Sequence, residues 1–174
     1  MEQKLIVLFL GVLVLFSACG DDKDDMSGVT DNSRFVIRNF TSSGCKNNAG
    51  ANADGMMKAG KDSPWGEEYI EYQGREGGYL TLKHVNAVFN CAAVDFKTSI
   101  GIVDNQIVVN EEDVFDGEMA NCVCPYDLTY DAGPLKNGVY TVVLRRYGEE
   151  YARTTITFSS SADGRAELTY MQNE

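Results

Sequence analysis

Residues 120–130 read ANCVCPYDLTY, and this short stretch carries the pattern that decides the fold. Successive side chains of a β-strand point to opposite faces of the sheet, so every second residue here shares a face. One face holds Cys122, Cys124, Tyr126, Leu128 and Tyr130. Pro125 has no backbone donor, which places the strand at a sheet edge or at a bulge. The stretch therefore predicts a strand with two inward-pointing thiols.

Alternation with a period of two recurs from residue 34 onward, and no long segment repeats apolar residues at helical spacing. Turn pairs such as Asp104-Asn105 separate the segments. The predicted strands are 34–40, 67–73, 78–84, 86–91, 95–103, 106–111, 122–131, 138–147, 151–158 and 165–171. Many short strands predict an all-β fold, a single antiparallel β-sandwich, because parallel strands need crossover helices.

Two segments refine this prediction. Gly138, two residues before Tyr140, resembles the corner at which immunoglobulin-like sandwiches change sheets, so we expect the immunoglobulin-like type. Residues 41–66 combine five glycines with Asn, Ser and Ala, which predicts one long irregular loop. The predicted sandwich domain spans residues 34–174.

The N-terminal residues 1–18 have the layout of a secretory signal peptide, with Lys4 before an apolar run. The run from Leu5 to Phe16 is shorter than the about 20 residues that span a bilayer. Phe16-Ser-Ala-Cys19 resembles the bacterial lipobox, which implies that residues 1–18 are removed and that Cys19 carries the lipid. The alternative is a signal peptide cleaved elsewhere, which leaves Cys19 as a free thiol.

Residues 19–33 are polar and acidic, which is typical of a disordered tether. The acidic cluster is Asp21, Asp22, Asp24 and Asp25 around Lys23. It resembles the export signal of Bacteroidetes surface lipoproteins. That resemblance implies an outer-membrane lipoprotein whose domain faces the cell exterior; the periplasmic face is the alternative.

The chain has a formal net charge of −11. An acidic protein is repelled from nucleic acid and from anionic lipid surfaces, which attract basic patches. We therefore expect no nucleic-acid partner, and membrane attachment only through the lipid on Cys19.

Four further cysteines, an even number, predict two disulfides in an exported domain: Cys45, Cys91, Cys122 and Cys124. A bond between Cys122 and Cys124 would close a strained ring, since alternate side chains of a strand stand parallel. Cys45 should therefore pair with one member of the C-x-C motif and Cys91 with the other. Both of these pairings stay open from the sequence.

A metal site is the alternative use of these residues, with His84, Cys91, Cys122 and Cys124 as zinc ligands. The C-x-C spacing is not the commoner C-x-x-C knuckle, and His84 and Cys91 face opposite sides unless a turn separates them. His84 also shares its face with Leu80 and Leu82, which favours a hydrogen-bonded core histidine. We expect no metal and no other cofactor.

Three motifs together resemble small cell-envelope lipoproteins of Bacteroidetes. They are His84-Val-Asn86-Ala-Val-Phe89-Asn90-Cys91, Cys122-x-Cys124-x-Tyr126-Asp127 and Gly138-x-Tyr140, within residues 79–147. That group carries no established activity, so the resemblance implies a location and a fold and no mechanism.

Catalytic motifs are absent from the sequence: it has one histidine, no nucleophile elbow and no phosphate-binding loop. The acidic segment 110–121 is predicted to be a solvated loop, with a weak resemblance to a calcium site. Its carboxylates are Glu111, Glu112, Asp113, Asp116 and Glu118. Aromatic side chains that would stack on sugars are Trp65, Tyr69, Tyr72, Tyr79, Tyr147 and Tyr151.

The sequence thus predicts a non-enzymatic binding or structural module for a glycan or an envelope protein. The alternative is a small envelope enzyme or metal-binding protein that uses His84 with Cys91, Cys122 and Cys124. The ligand and the oligomeric state do not follow from the sequence.

Replacing Cys19 tests the lipid anchor. We expect Cys19→Ser to abolish incorporation of labelled fatty acid and to move the protein from the membrane fraction to the soluble fraction, because the acyl chains supply the attachment. Ser27→Ala, in the tether, is the matched control and should stay in the membrane fraction. A membrane-bound Cys19→Ser protein would contradict the prediction.

Overall fold

The computed structural model describes residues 35–46 and 66–171, and their regular structure is almost entirely β-strand. The strands are β1 (Val36–Ser42), β2 (Tyr69–Gly74), β3 (Leu80–Asn90), β4 (Ala93–Val103), β5 (Gln106–Phe115), β6 (Val123–Gly133), β7 (Gly138–Arg146), β8 (Glu149–Phe158), β9 (Asp163–Glu167) and β10 (Thr169–Tyr170). A single 3₁₀ turn at Glu76–Gly78 joins β2 to β3 within these residues. The predicted signal peptide, the tether and residues 47–65 of the predicted loop lie outside the described residues.

The strands form two five-stranded sheets. The first sheet has the order β1-β6-β3-β2-β9, and the second has the order β10-β8-β7-β5-β4. Side chains from both sheets meet in one core, so the predicted all-β sandwich is confirmed. The expectation of purely antiparallel sheets is wrong at one place, because β5 and β7 pair in parallel. These strands can run parallel because the chain leaves the second sheet after β5, forms β6 in the first sheet, and returns as β7.

The corner before β7 contains a tyrosine hydrogen bond. The Tyr140 hydroxyl donates to the backbone carbonyl of Lys136, at 2.7 Å, as the tyrosine corner of immunoglobulin-like sandwiches does. Constant-type immunoglobulin domains have seven strands, however, and the described residues here form ten with one parallel pair. The immunoglobulin-like type therefore stays a prediction.

The core forms because alternate residues of each strand point inward. Fully buried members of it are Ile70, Leu80, Leu82, Ile107, Val109, Leu128, Val142 and Leu144. Three aromatic rings pack edge to face beside them, with Phe96 4.9 Å from Tyr126 and 5.0 Å from Phe89 between ring centroids. Each large apolar side chain contributes about 1.5–3 kcal/mol when it is buried.

Strand β3 contains a bulge where the sequence predicted a break between two strands. His84 is opposite Leu128 and Ala87 is opposite Tyr126, so two residues of β3 stand against one residue of β6. Asn86 accommodates the bulge with a left-handed φ of 59°. The bulge exchanges the two faces of the strand, so His84 and Phe89 both point inward although they are five positions apart, an odd interval.

The last predicted strand, 165–171, is divided between the two sheets. β9 pairs with β2 in the first sheet, and β10 pairs with β8 in the second. Leu168 lies between these two strands, and the hydroxyl of Tyr170 in β10 donates to Glu68.

The surroundings of strand β6 explain how the strand accommodates Pro125. It lies between β1 and β3, so the edge alternative of the prediction is wrong for most of its length, whereas its pairing with β3 does contain a bulge, between His84 and Ala87. β1 ends at Ser42 opposite Leu128, however, and beyond that point the chain segment up to Lys46 covers β6, with Lys46 N donating to Pro125 O. On this side of β6 no paired strand needs a backbone N–H from residue 125, so a proline is tolerated there.

Two disulfides join the four cysteines of the described residues. Cys45 bonds to Cys124 and Cys91 bonds to Cys122, with Cα–Cα distances of 5.8 and 5.6 Å. The first attaches the segment after β1 to β6, and the second joins the ends of β3 and β6. In the entropic model, each closed loop of this length stabilises the fold by about 3–5 kcal/mol.

Thiol counting and peptide mapping test this connectivity. We expect no free thiol in the unreduced, denatured mature protein other than an unlipidated Cys19, because the other four cysteines are bonded. Because Cys122 and Cys124 lie in one proteolytic peptide, tandem mass spectrometry that cleaves the backbone between them should assign Cys45 to Cys124 and Cys91 to Cys122. Peptides that link Cys45 to Cys122 would contradict the structure.

Candidate functional site

A charged cluster lies at the centre of the sandwich, between the two sheets. The His84 ring stands between two carboxylates, with Nδ1 2.8 Å from Glu111 Oε2 and Nε2 2.8 Å from Glu68 Oε1. His84 and Glu111 have no exposed surface, and Glu68 is 2% exposed. The Tyr151 hydroxyl donates to Glu68 Oε1 at 2.9 Å, and its oxygen lies 3.1 Å from His84 Nε2.

Strand alternation brings both carboxylates inward. Glu111 follows Ile107 and Val109 on the buried face of β5, and Glu68 directly precedes β2 on the same parity as Ile70. Tyr151 reaches the cluster from β8 through a second bulge, because Leu144 is opposite Ala152 while Arg145 is opposite Glu150. Residue 151 is thus the extra residue of the bulge.

The geometry requires a protonated histidine. Each ring nitrogen faces a carboxylate oxygen, and a carboxylate can only accept, so both nitrogens carry hydrogen. Burial alone would lower the pKa of His84, but the charges and hydrogen bonds of Glu111 and Glu68 raise it to about 9.

Further polar side chains complete the cluster. Arg146, at the end of β7, donates to Glu68 Oε1 at 3.0 Å, and its guanidinium stacks 4.0 Å above the Tyr151 ring. Tyr170 of β10 donates to Glu68 Oε2 at 3.1 Å. Burial would raise the pKa of Glu68, but His84, Arg146 and Tyr151 lower it below the ordinary value. Two cations and two carboxylates therefore balance, with His84, Glu68 and Glu111 buried and the Arg146 side chain 22% exposed.

The buried cluster links strands of the two sheets. A general acid or base must come within hydrogen-bond reach of its substrate, and His84 and Glu111 expose no atoms to a substrate. The ring of His84 in β3 instead links the start of β2 to β5 of the opposite sheet. Loss of one partner from such a cluster costs about 3–5 kcal/mol, because a buried charge is left without compensation.

The acidic segment 110–121 is not the solvated loop that the sequence predicted. Its first part belongs to β5, where Glu111 and Asp113 are buried and Glu112 lies on the outer face. Asp113 accepts from the backbone N–H of Asn90 at 3.1 Å and from the Tyr147 hydroxyl. The prediction was wrong because the charges of Glu111 and Asp113 were taken as the sign of a loop. The inward alternation that begins at Ile107 continues through both residues, and this signal would have identified them as buried. Asp116 and Glu118 are exposed.

The four candidate ligands of the alternative metal site form disulfides or hydrogen bonds instead. Cys91, Cys122 and Cys124 form disulfides, and both ring nitrogens of His84 face carboxylates. Within residues 35–46 and 66–171, no group of three or more His, Cys, Asp or Glu side chains is placed to hold a metal ion.

The aromatic candidates for sugar stacking have different positions. Trp65 lies outside the described residues. Tyr151 points into the charged cluster, so the prediction that its ring is available to stack on a sugar is wrong. The rings of Tyr69 and Tyr79 lie under the guanidinium groups of Arg165 and Arg38, and Tyr147 is 59% exposed at a hairpin tip.

A polar groove runs over the outer face of the first sheet, across β9, β2, β3 and β6. We call it the outer groove; its lining includes Glu71, Gln73, Thr81, Lys83, Thr129 and Asp163. Its volume of about 520 Å³ lies within the roughly 300–1,000 Å³ that is typical of small-molecule sites.

The cations of the outer groove are already paired. Lys83 Nζ lies 3.4 Å from Glu71 Oε2 and 3.5 Å from Asp127 Oδ2. Burial would lower the pKa of Lys83, but Asp127 and Glu71 raise it. Arg165 forms an ion pair with Glu67. In the described part of the chain, by contrast, the side chains of Gln73, Thr129 and Asp163 form no hydrogen bond or ion pair.

Comparisons with known proteins add no relative: no protein-family model, no curated protein and no solved structure matches the chain. The described residues also contain no helix long and apolar enough to cross a membrane.

The charged cluster predicts a pH-dependent stability. The pKa of His84 is about 9 in the fold and 6.5 in a model compound, so the stabilisation is complete below pH 6.5 and is lost as pH rises to 9. We expect the free energy of unfolding to fall by about 3 kcal/mol over this range in urea denaturation.

Two variants make this prediction specific. Glu111→Gln removes one carboxylate charge, so the pH range of the loss should move to lower values. Glu112→Gln, on the outer face of the same strand, should leave the pH profile unchanged. Identical profiles for the wild-type protein and Glu111→Gln would show that the cluster does not control stability.

Proposed function

We propose that the protein is a lipid-anchored β-sandwich of the outer cell envelope that acts as a non-enzymatic binding module for a glycan or an envelope protein. The outer groove is its contact surface. The observation that carries this proposal is an open groove whose polar side chains Gln73, Thr129 and Asp163 have no partner among the described residues. Strand residues line the groove, so the contact surface is formed before the ligand arrives.

The charged cluster supports binding over catalysis. It is the one set of described residues that combines a histidine with carboxylates, and it is enclosed by the core. The alternative of a small envelope enzyme or metal-binding protein needs free thiolates or an accessible His84, and the disulfides and flanking carboxylates disfavour both.

The proposed location depends on the N-terminal sequence. A lipid on Cys19 would hold the domain at the outer membrane, and the acidic tether favours the cell exterior over the periplasm. This arrangement would present the outer groove to molecules outside the cell.

Filling the outer groove tests the proposal. Thr129 lies on the outer face of β6 and lines the groove, so Thr129→Trp should obstruct ligand entry. We expect full-length protein in detergent to be retained on arrayed polysaccharides or purified envelope proteins, and Thr129→Trp to bind at least about tenfold more weakly.

The matched control is Thr155→Trp, which places the same side chain on an exposed position of β8 in the second sheet. It should bind like the wild-type protein, and both variants should unfold at the wild-type temperature. Equal retention of Thr129→Trp and wild-type protein, or no retention on any surface, would refute the proposed function.

A further inference from the structure

Gln73 and Asp163 are two polar side chains at one end of the outer groove. They are direct partners across the antiparallel strands β2 and β9, so their Cβ atoms lie about 5 Å apart on the same face of the sheet. Among the described residues neither side chain has a hydrogen-bond partner. Asp163 can only accept, whereas the Gln73 amide offers two N–H donors beside its carbonyl.

This pair matches two adjacent hydroxyl groups on a sugar ring. One hydroxyl donates to the Asp163 carboxylate, and its neighbour accepts from the Gln73 amide. Hydrogen bonds to a charged acceptor are the stronger kind, so the carboxylate adds affinity as well as direction. Two adjacent hydroxyls let each member of the pair form its own hydrogen bond, so the two bonds do not share one oxygen.

The groove extends beyond this pair toward a second polar position. Thr129 of β6, which also lacks a partner in the described part of the chain, lies opposite Lys83 of β3. From β9 to β6 the groove crosses three strand spacings, or about 14 Å. That distance accommodates more than one sugar ring, so the site suits a chain of sugars lying across the strands.

The charges of the groove favour a neutral ligand. Glu71 and Asp127 already pair with Lys83, and Glu67 pairs with Arg165, so an anionic sugar would have to displace a carboxylate from each cation. The unpaired Asp163 would repel such a sugar, and so would the net charge of −11.

The same surface suits a protein partner less well. Protein interfaces draw their affinity from apolar or aromatic anchors that enter desolvated pockets. Most side chains that line the outer groove are polar or charged, and the backbone groups of the inner strands β2, β3 and β6 are already paired within the sheet.

We infer, on the basis of the proposed binding function, that the outer groove binds a neutral polysaccharide chain, with Gln73 and Asp163 holding adjacent hydroxyls of one sugar ring.

Calorimetric titration of the full-length protein in detergent tests this inference. The probes are three neutral polysaccharides (soluble starch, mannan and arabinoxylan) and two acidic ones (polygalacturonate and heparin). We expect at least one neutral probe to bind and neither acidic probe to bind. Gln73→Ala and Asp163→Ala should each weaken binding at least about tenfold, equivalent to about 1.4 kcal/mol.

Gln106→Ala is the matched control, because Gln106 is an exposed glutamine on β5 of the second sheet. It should change the affinity less than about twofold. Gln73 and Asp163 are themselves exposed, so both variants should retain the wild-type unfolding temperature, which differential scanning calorimetry measures.

Each other outcome overturns a defined part of the inference. Binding of an acidic probe that Gln73→Ala abolishes would leave the groove as the site and overturn the neutral class. Neutral binding that both variants retain would overturn the assigned pair. If no polysaccharide binds, the inference fails, and a loss of envelope-protein retention in Thr129→Trp then shows that the proposed function survives through a protein partner.

Discussion

The protonated ring of His84 between Glu68 and Glu111 is the contact on which the arrangement of the two sheets depends. Burial of two carboxylates is costly, and the fold compensates this cost only while the histidine carries its proton and both hydrogen bonds are formed. The three residues come from β3, from β5 and from the residue before β2. Their mutual requirement therefore sets the distance and the register between opposite faces of the sandwich.

Two of the β-bulges, in β3 and in β8, lie next to residues of this cluster. The bulge after His84 lets β3 present a buried histidine in one half and a buried Phe89 in the other. The bulge in β8 turns Tyr151 inward to donate to Glu68. Bulges re-aim side chains at the expense of local pairing, and here both of them direct a polar group into the core.

The two faces of the first sheet differ in how their charged and polar side chains are paired. On the inner face the charges of His84 and Glu68 have close partners and almost no exposed surface, which stabilises the contact between the sheets. On the outer face Lys83 and Arg165 are neutralised, while Gln73 and Asp163 keep free hydrogen-bonding groups at the surface. A strand such as β2 contributes to both faces, since its alternate residues point to opposite sides of the sheet. This division supports the proposed binding module, in which the core would provide stability and the outer groove would provide recognition.

The amino-acid sequence by itself determined the all-β sandwich, most of the strand positions and the presence of two disulfides, because alternation and cysteine parity are local properties of the chain. Only the tertiary structure decided that Cys45 pairs with Cys124, that β5 and β7 run parallel, and that Glu68 and Glu111 meet at His84. These features join residues far apart in the sequence, and a bulge at Asn86 reverses the parity on which a local argument depends. The outer groove likewise needs the order of strands β9, β2, β3 and β6, which no local pattern specifies, because strand order is set by packing between the sheets.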